Sequence, residues 1–353
     1  MPTFPPAWDG EALVLRHDAP TGAWIAIAIH STRLGPAVGG ARLRVYPDPW
    51  SAVADAERLA EGMTLKFAVQ GMPWGGGKAV ITPPAPLAPE ARAGLLRRYG
   101  ALLASLGGLY RTAPDVGTSS EDMDVIAETA GALAFGRTPA AGGAGSSGPA
   151  TAVGVLAAIG AVCERLFGDA APRGRRVLVQ GAGSVGGALL GLLRAAGAEP
   201  LFSDVEPATI ARWRDREGVP FVEPAAVPET PCDVYAPCAL GGALAADTIA
   251  RLACRAVAGG ANNQLASPAD AEAMRARGIL YAPDFVANVG GAMAGLLMEA
   301  DGWSRARAEA EVAARVRETL RRVFDIADAE GVTTDEAARR LAAARLAAAR
   351  PRG

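Results

Sequence analysis

The chain has 353 residues, more than one hydrophobic core usually supports, so two domains are expected. Half of the residues are apolar and a fifth are charged, the balance of an ordinary globular protein, and a formal net charge of −2 gives no electrostatic reason to expect a nucleic acid as partner. No apolar run could cross a bilayer without Arg, Glu or several glycines intervening. The opening MPTFPPAWDGEALVLRHD has neither the basic nor the apolar stretch of a secretory signal, so no membrane partner and a cytoplasmic location are expected. The four cysteines, Cys163, Cys232, Cys238 and Cys254, form no CxxC pair and are expected to be buried free thiols. Both histidines, His17 and His30, lie near the start. Proton transfer must therefore use Lys, Asp, Glu or Tyr, and a zinc site built on histidine is excluded.

In chain order, the alternation in AWIAIAIHS (23–31) predicts a strand, and a second strand is expected within LGPAVGGARLRVYP. SAVADAERLAEGMTLKFAVQG has helical spacing, with Val53, Ala56, Leu59, Ala60 and Met63 on one face. GGGKAVITPP returns as a strand that ends at the prolines. APEARAGLLRRYGALLASLGG predicts a helix with Pro89 at its start and Gly107 and Gly108 after its end. Residues 135–151, rich in Gly, Ser, Pro and Ala, read as a linker or hinge. A helix from TAVGVLAAIGAVCERLFG follows.

RRVLVQGAGSVGGALLGLLRAAGAEPLFSDV then reads as strand, glycine turn, helix and strand. The turn is Gly181-Ala182-Gly183-Ser184-Val185-Gly186. Its first glycine permits a tight turn, the second lets the backbone approach a pyrophosphate, and the third allows close helix–strand packing. The helix N-terminus adds free N–H groups and a partial positive charge. The second strand ends at Asp204, where a carboxylate can accept from the adenosine ribose. A Rossmann-type site for NAD is expected. Beyond it, PCDVYAPCALGGAL, CRAVAGGANNQLA and GILYAPDFVANVGGAM each look like a strand followed by a loop, which draws attention to Asn262 and Asn288. A capping box from Thr333 to Glu336 opens a C-terminal helix.

Three residues before the linker could carry chemistry: Lys66, Lys78 and Asp115. The glycines before Lys78 do not make a phosphate loop. That spacing needs glycine at Met72, and Ala79 stands where Ser or Thr should hold magnesium. A lysine leading into an apolar strand is instead poised for a lowered pKa and a general-base role.

GPAVGGARLR, DAERLAEGMTLKFAVQGMPWGGGKAVI, APDVGTSSEDMDVI, GGAGSSGPATAVGV, YAPCALGGAL, GGANNQLA and ARGILYAPDFVANVGGAM together resemble the glutamate/leucine/phenylalanine/valine dehydrogenases, from about residue 25 to 300. The resemblance implies an α/β fold of two domains: an α/β substrate domain, 1–135, then a Rossmann domain, 136–324, with a C-terminal helix, 325–353, packing back and the active site in the cleft. It implies NAD-dependent, reversible oxidative deamination of a hydrophobic L-amino acid, with small-molecule substrates and a homo-oligomeric assembly. By correspondence, Lys66 holds the α-carboxylate, Lys78 is the base, and Asp115 positions the amino group and assists proton transfer. Gly39, Gly40 and Asn262 add carboxylate or cofactor contacts, and Thr151, Ala239 and Asn288 lie beside the nicotinamide. The glutamate branch carries a lysine where this chain has Val38 and a serine where it has Gly295, so the side-chain pocket is expected to be apolar.

That pocket should comprise Val38, Ala113, Ala292 and Gly295. Ala292 and Gly295 suggest extra room and a lean toward L-phenylalanine, whereas Ala113 and GGALAADT point to the leucine and valine enzymes, the alternative. A catalytically silent NAD-binding protein is a more distant alternative, which the retention of Lys66, Lys78 and Asp115 speaks against. A 2-hydroxy-acid dehydrogenase would need a histidine that this chain lacks after position 30.

Overall fold

The structure is a computed structural model that describes residues 8–239 and 241–349. The ends of the expected domains, residues 1–7 and 350–353, lie outside the described residues. The chain divides into two compact units: 1–146 with 295–305 and 342–353, and 147–294 with 306–341. The division at 146/147 falls inside the glycine-rich segment, later than the boundary expected at 135/136.

The first unit is built from β1 (Ala12–Asp18), β2 (Ala23–Ser31), β3 (Ala37–Leu43), α1 (Pro49–Val69), β4 (Gly75–Thr82), α2 (Pro89–Ser105), β5 (Tyr110–Pro114) and α3 (Ser120–Ala130). Its sheet has the order β1-β2-β4-β3-β5; β1 and β4 run antiparallel to β2, while β3 runs parallel to β4 and β5. Alternation sorts the side chains. Ile25, Ile27 and Ile29 pack with Leu95, Tyr99, Leu103, Met123 and Ile126 of α2 and α3, while Ala26, Ala28 and Val80 meet Ala52, Val53, Ala56 and Ala60 of α1. The result is three layers with the sheet in the middle. Small residues on both sides bring α1 close, and for that reason Leu59 and Met63, expected in its buried face, are only half-buried at its margin.

The second unit is built from α4 (Gly148–Phe167), β6 (Arg176–Gln180), α5 (Ser184–Ala195), β7 (Glu199–Ser203), α6 (Pro207–Ile210), β8 (Cys232–Pro237), α7 (Ala246–Arg251), β9 (Cys254–Val257), α8 (Pro268–Ala276), β10 (Leu280–Tyr281), α9 (Asp284–Ala287), part of α10 (Gly290–Glu299), most of α11 (Arg305–Glu330) and the start of α12 (Thr334–Ala348). Its sheet is wholly parallel, in the order β10-β9-β8-β6-β7, the Rossmann arrangement. α4 is the one helix among the described residues with the length and apolarity to cross a membrane, but 67% of its most apolar window is buried inside the protein. It is a core helix.

Four expectations need correction. The C-terminal segment is two helices, α11 and α12, because the chain turns at Gly331. FVAN forms the short helix α9, so Asn288 caps a helix and does not sit in a loop after a strand. β1, which the sequence pattern did not predict, edges the first sheet. The cysteines are all free, but only Cys163 is buried; Cys232, Cys238 and Cys254 are half-buried.

Candidate active site

In the first unit Lys78, the residue expected as base, lies on β4. β4 is buried throughout, and alternation turns Gly76, Lys78 and Val80 to the α1 side of the sheet. A side chain at Gly76 would meet the backbone of Thr64 at 2.1 Å, so α1 lies directly on this strand. Lys78, 5% exposed, places Nζ 3.0 Å from Oδ1 of Asp115, on the loop that follows β5. The same loop crowds β3, where a Cβ on Gly40 would stand 2.8 Å from the Cβ of Asp115. Thr118 braces the turn: its hydroxyl accepts the Asp115 N–H at 2.9 Å and donates to the Ala41 carbonyl at 2.8 Å.

The other oxygen of Asp115 accepts from Nε of Arg42 at 2.8 Å. Arg42 also donates through Nη1 to Asp55 at 2.8 Å, and Asp55 in turn accepts from Arg58 at 2.6 Å and from the Tyr46 hydroxyl. Cations and carboxylates therefore alternate from Lys78 to Arg58. Burial drives the Lys78 amine below its ordinary range; the Asp115 carboxylate opposes this, and the charge of Arg42 adds to it. Burial alone would raise the Asp115 carboxyl, but Lys78 and Arg42 outweigh it and hold it below the ordinary carboxylate value. Such an arrangement lets the amine give up its proton more readily than an exposed lysine would.

Lys66 lies half-buried in the last turn of α1. Val38 is fully buried opposite Arg111, and Gly40 pairs with Ala113 across β3 and β5. From the far face of the sheet the Tyr110 hydroxyl donates to the Gly39 carbonyl at 2.7 Å and pins this stretch. Gly295, expected to leave room, has the Phe135 ring on one side. A Cβ there would meet the ring of Phe135 at 3.3 Å, and Phe135, 5% exposed, is fastened beside β5 by its N–H on the Thr112 carbonyl at 2.9 Å. Ala292 is half-buried on α10.

In the second unit the glycine turn has the expected form. Gly181 has a φ of +88°, open to glycine at little cost, and a Cβ on Gly186 would lie 1.8 Å from the Gly181 carbonyl oxygen. Gly183 caps α5 without a side-chain bond, and a Cβ there would meet nothing within 4 Å, which leaves an open cradle over the first turn of that helix. Ser184 and Val185 begin the helix, and Ala182 is buried. Asp204 accepts the Ala182 N–H at 2.7 Å through one oxygen and the N–H groups of Val205 and Glu206 through the other. These residues fit a dinucleotide: a phosphate-sized space at a helix N-terminus, with a carboxylate at the end of β7. Ala239 lies against Gly181. The Asn288 amide donates to the Asn262 side chain at 2.9 Å, and its own carbonyl oxygen is buried without a partner. The Thr151 hydroxyl donates to Ser147 and accepts from Gly291, fastening α10 to α4.

Sequence reasoning missed Arg42, Asp55, Tyr46 and Phe135. Arg42 carried a signal: it falls on the same β3 face as Val38 and Gly40 by period two. Asp55 and Tyr46 gave none until their partners were known, and Phe135 was absorbed into the linker.

Comparison with known proteins places the chain in a family. Residues 21–131 match the family described as Glu/Leu/Phe/Val dehydrogenase, dimerisation domain, and residues 203–352 match Glutamate/Leucine/Phenylalanine/Valine dehydrogenase. The valine dehydrogenase of Streptomyces coelicolor is 43% identical over 97% of this chain and 93% of its own length. The leucine dehydrogenase of Thermoactinomyces intermedius is 38% identical over 96% of this chain and 91% of its own. The crystal structure of L-tryptophan dehydrogenase from Nostoc punctiforme superimposes with a TM-score of 0.81 and 34% identity, covering 96% of each chain. The valine and leucine enzymes among these relatives favour the alternative over the expected lean toward phenylalanine. The chain belongs to the Glu/Leu/Phe/Val dehydrogenase family and is an oxidoreductase that acts on amino acids.

Proposed function

We propose that the chain catalyses the NAD-dependent, reversible oxidative deamination of a branched aliphatic L-amino acid, of valine or leucine size, to its 2-oxo acid and ammonia. The observation that carries this reading is the buried Lys78 amine held 3.0 Å from the Asp115 carboxylate. Lys66 and the backbone at Gly40 bind the substrate α-carboxylate, and Asp115 accepts from the α-amino group. Lys78, in its deprotonated form, takes a proton from the water that attacks the iminium carbon, and Asp115 assists as ammonia leaves. The dinucleotide is held by Gly181, Ala182, Gly183, Ser184, Val185, Gly186 and Asp204, with Thr151, Ala239, Asn262 and Asn288 toward its nicotinamide end. When bound, its nicotinamide ring takes up the hydride lost from the substrate α-carbon. Asp204 and the neighbouring Glu206 favour NAD over NADP, because both would repel an added phosphate and no Lys or Arg lies in the SDVEPAT loop.

The proposed size of the substrate rests on the relatives and on Phe135: the valine and leucine enzymes are similar over nearly the whole chain, and the Phe135 ring lies 3.3 Å from where a Cβ on Gly295 would stand. An aromatic side chain would compete with Phe135, whereas an isopropyl or isobutyl group would not. NAD reduction across a panel of L-amino acids tests this: valine and leucine should exceed phenylalanine in kcat/KM, and the reverse order would overturn the assignment. Self-association is proposed as well, since residues 21–131 match a family segment described as a dimerisation domain and Leu15, Trp24 and Trp50 of this unit line an apolar cleft of ≈ 210 Å³. Sedimentation of the purified chain checks it; a monomer at micromolar concentration would refute it.

A further inference from the structure

We infer that Arg42 is a positioning residue of the reaction: its guanidinium, braced by Asp55, fixes the Asp115 carboxylate that faces Lys78. The inference rests on the roles proposed for Lys78 and Asp115. Arg42 spans two carboxylates that come from different parts of the fold, Asp115 after β5 through Nε at 2.8 Å and Asp55 on α1 through Nη1 at 2.8 Å. A planar fork is suited to this bridge, and a lysine at the same place could not hold both acceptors in one geometry. With one Asp115 oxygen committed to Arg42, the other is left for the Lys78 ammonium at 3.0 Å, so the carboxylate is prevented from rotating.

The electrostatic effect has a definite sign. The charged and titratable groups around the pair are Arg42 on β3, Tyr46 in the loop after it, Asp55 and Arg58 on α1, which also carries Lys66, and Tyr110 beneath the sheet. Arg42 lowers the pKa of both Lys78 and Asp115, whereas Asp55 raises that of Lys78. Removing the guanidinium should therefore raise both, and the amine would stay protonated to higher pH. Removing the Asp55 charge should have the opposite effect on Lys78.

The test is the pH dependence of kcat/KM for oxidative deamination, measured on the full chain with one substrate, for Arg42→Met, Arg42→Lys and Asp55→Asn. Arg42→Met should move the acidic limb upward by about one unit, the lower end of the range for a neighbouring charge. Arg42→Lys should keep the limb near its original position, because the charge remains, and should lose kcat, because the fork is gone. Asp55→Asn should shift the limb downward, because the charge that favours the protonated amine is gone. If Arg42→Met unfolds, the contrast between the other two variants still decides. Unchanged limbs in all folded variants, alongside Lys78→Ala and Asp115→Asn variants that are inactive, would overturn the role of Arg42 alone. Active Lys78→Ala and Asp115→Asn variants would instead overturn the underlying assignment.

Discussion

The two candidate sites are built by opposite means. The first unit gathers side chains from β3, α1, β4 and the loop after β5, at positions 42, 55, 78 and 115, and depends on their charges. The second unit uses a short contiguous stretch of backbone, 181–186, joined to Asp204, and depends on shape. One should fail when it loses a charge, the other when it gains a methyl group.

The largest effect is expected from breaking the first site. Lys78→Ala should lower turnover at least about a hundredfold, the usual worth of a positioned base, with NAD affinity by fluorescence titration unchanged. Near-normal turnover in a folded variant would remove Lys78 from the reaction. Gly186→Ala is the mirror experiment. Its Cβ would collide with the Gly181 carbonyl, so the NAD dissociation constant should rise at least about tenfold, or about 1.4 kcal/mol, while the limb reporting Lys78 stays in place. Unaltered affinity would mean that the turn does not hold the dinucleotide.

Smaller effects sharpen the contrast. Phe135→Ala should raise the phenylalanine-to-valine ratio of kcat/KM by about tenfold, within the 1–3 kcal/mol that pocket volume commands. A constant ratio would take Phe135 out of the pocket. Asp204→Ala should narrow the preference for NAD over NADP only severalfold, because the phosphate-binding backbone persists while the ribose acceptor and the anchor on Ala182 are lost. If steady-state kinetics show NADP used as well as NAD before the change, Asp204 is not the discriminating group.

How much could be read from the sequence follows the same divide. β6, the glycine turn, α5 and β7 are adjacent in the chain, and each signal names its neighbour, so both the element order and the nucleotide geometry were legible. β2, α1, β4 and α2 were legible from periodicity. The edge strand β1 was not, since its exposed residues blur the alternation, and α3 went unread although Ser119 and Asp122 form its capping box. Lys78 and Asp115 stood out locally as candidates, but only family likeness joined them, because nothing local says that positions so far apart lie 3.0 Å from each other. The neighbour of Gly295 was hidden for a related reason: the Phe135 ring beside it belongs to a distant segment.

One contact bears on how the protein is made. Arg345, near the end of α12, donates its guanidinium to the carbonyls of Ala68 and Val69, which close the helix that carries Lys66, and it lies 277 residues beyond Ala68 in the chain. At the usual rate of about 5–20 residues per second, tens of seconds separate the emergence of that helix from the arrival of its cap. The second unit's long continuous stretch, 147–294, is synthesised in the interval. Vectorial synthesis therefore completes the second unit, whose last residue is 341, before the lysine-bearing first unit, which takes up the segment from 342 on. A nascent chain stalled before residue 345 should resist protease in the former and remain susceptible around Ala68 in the latter.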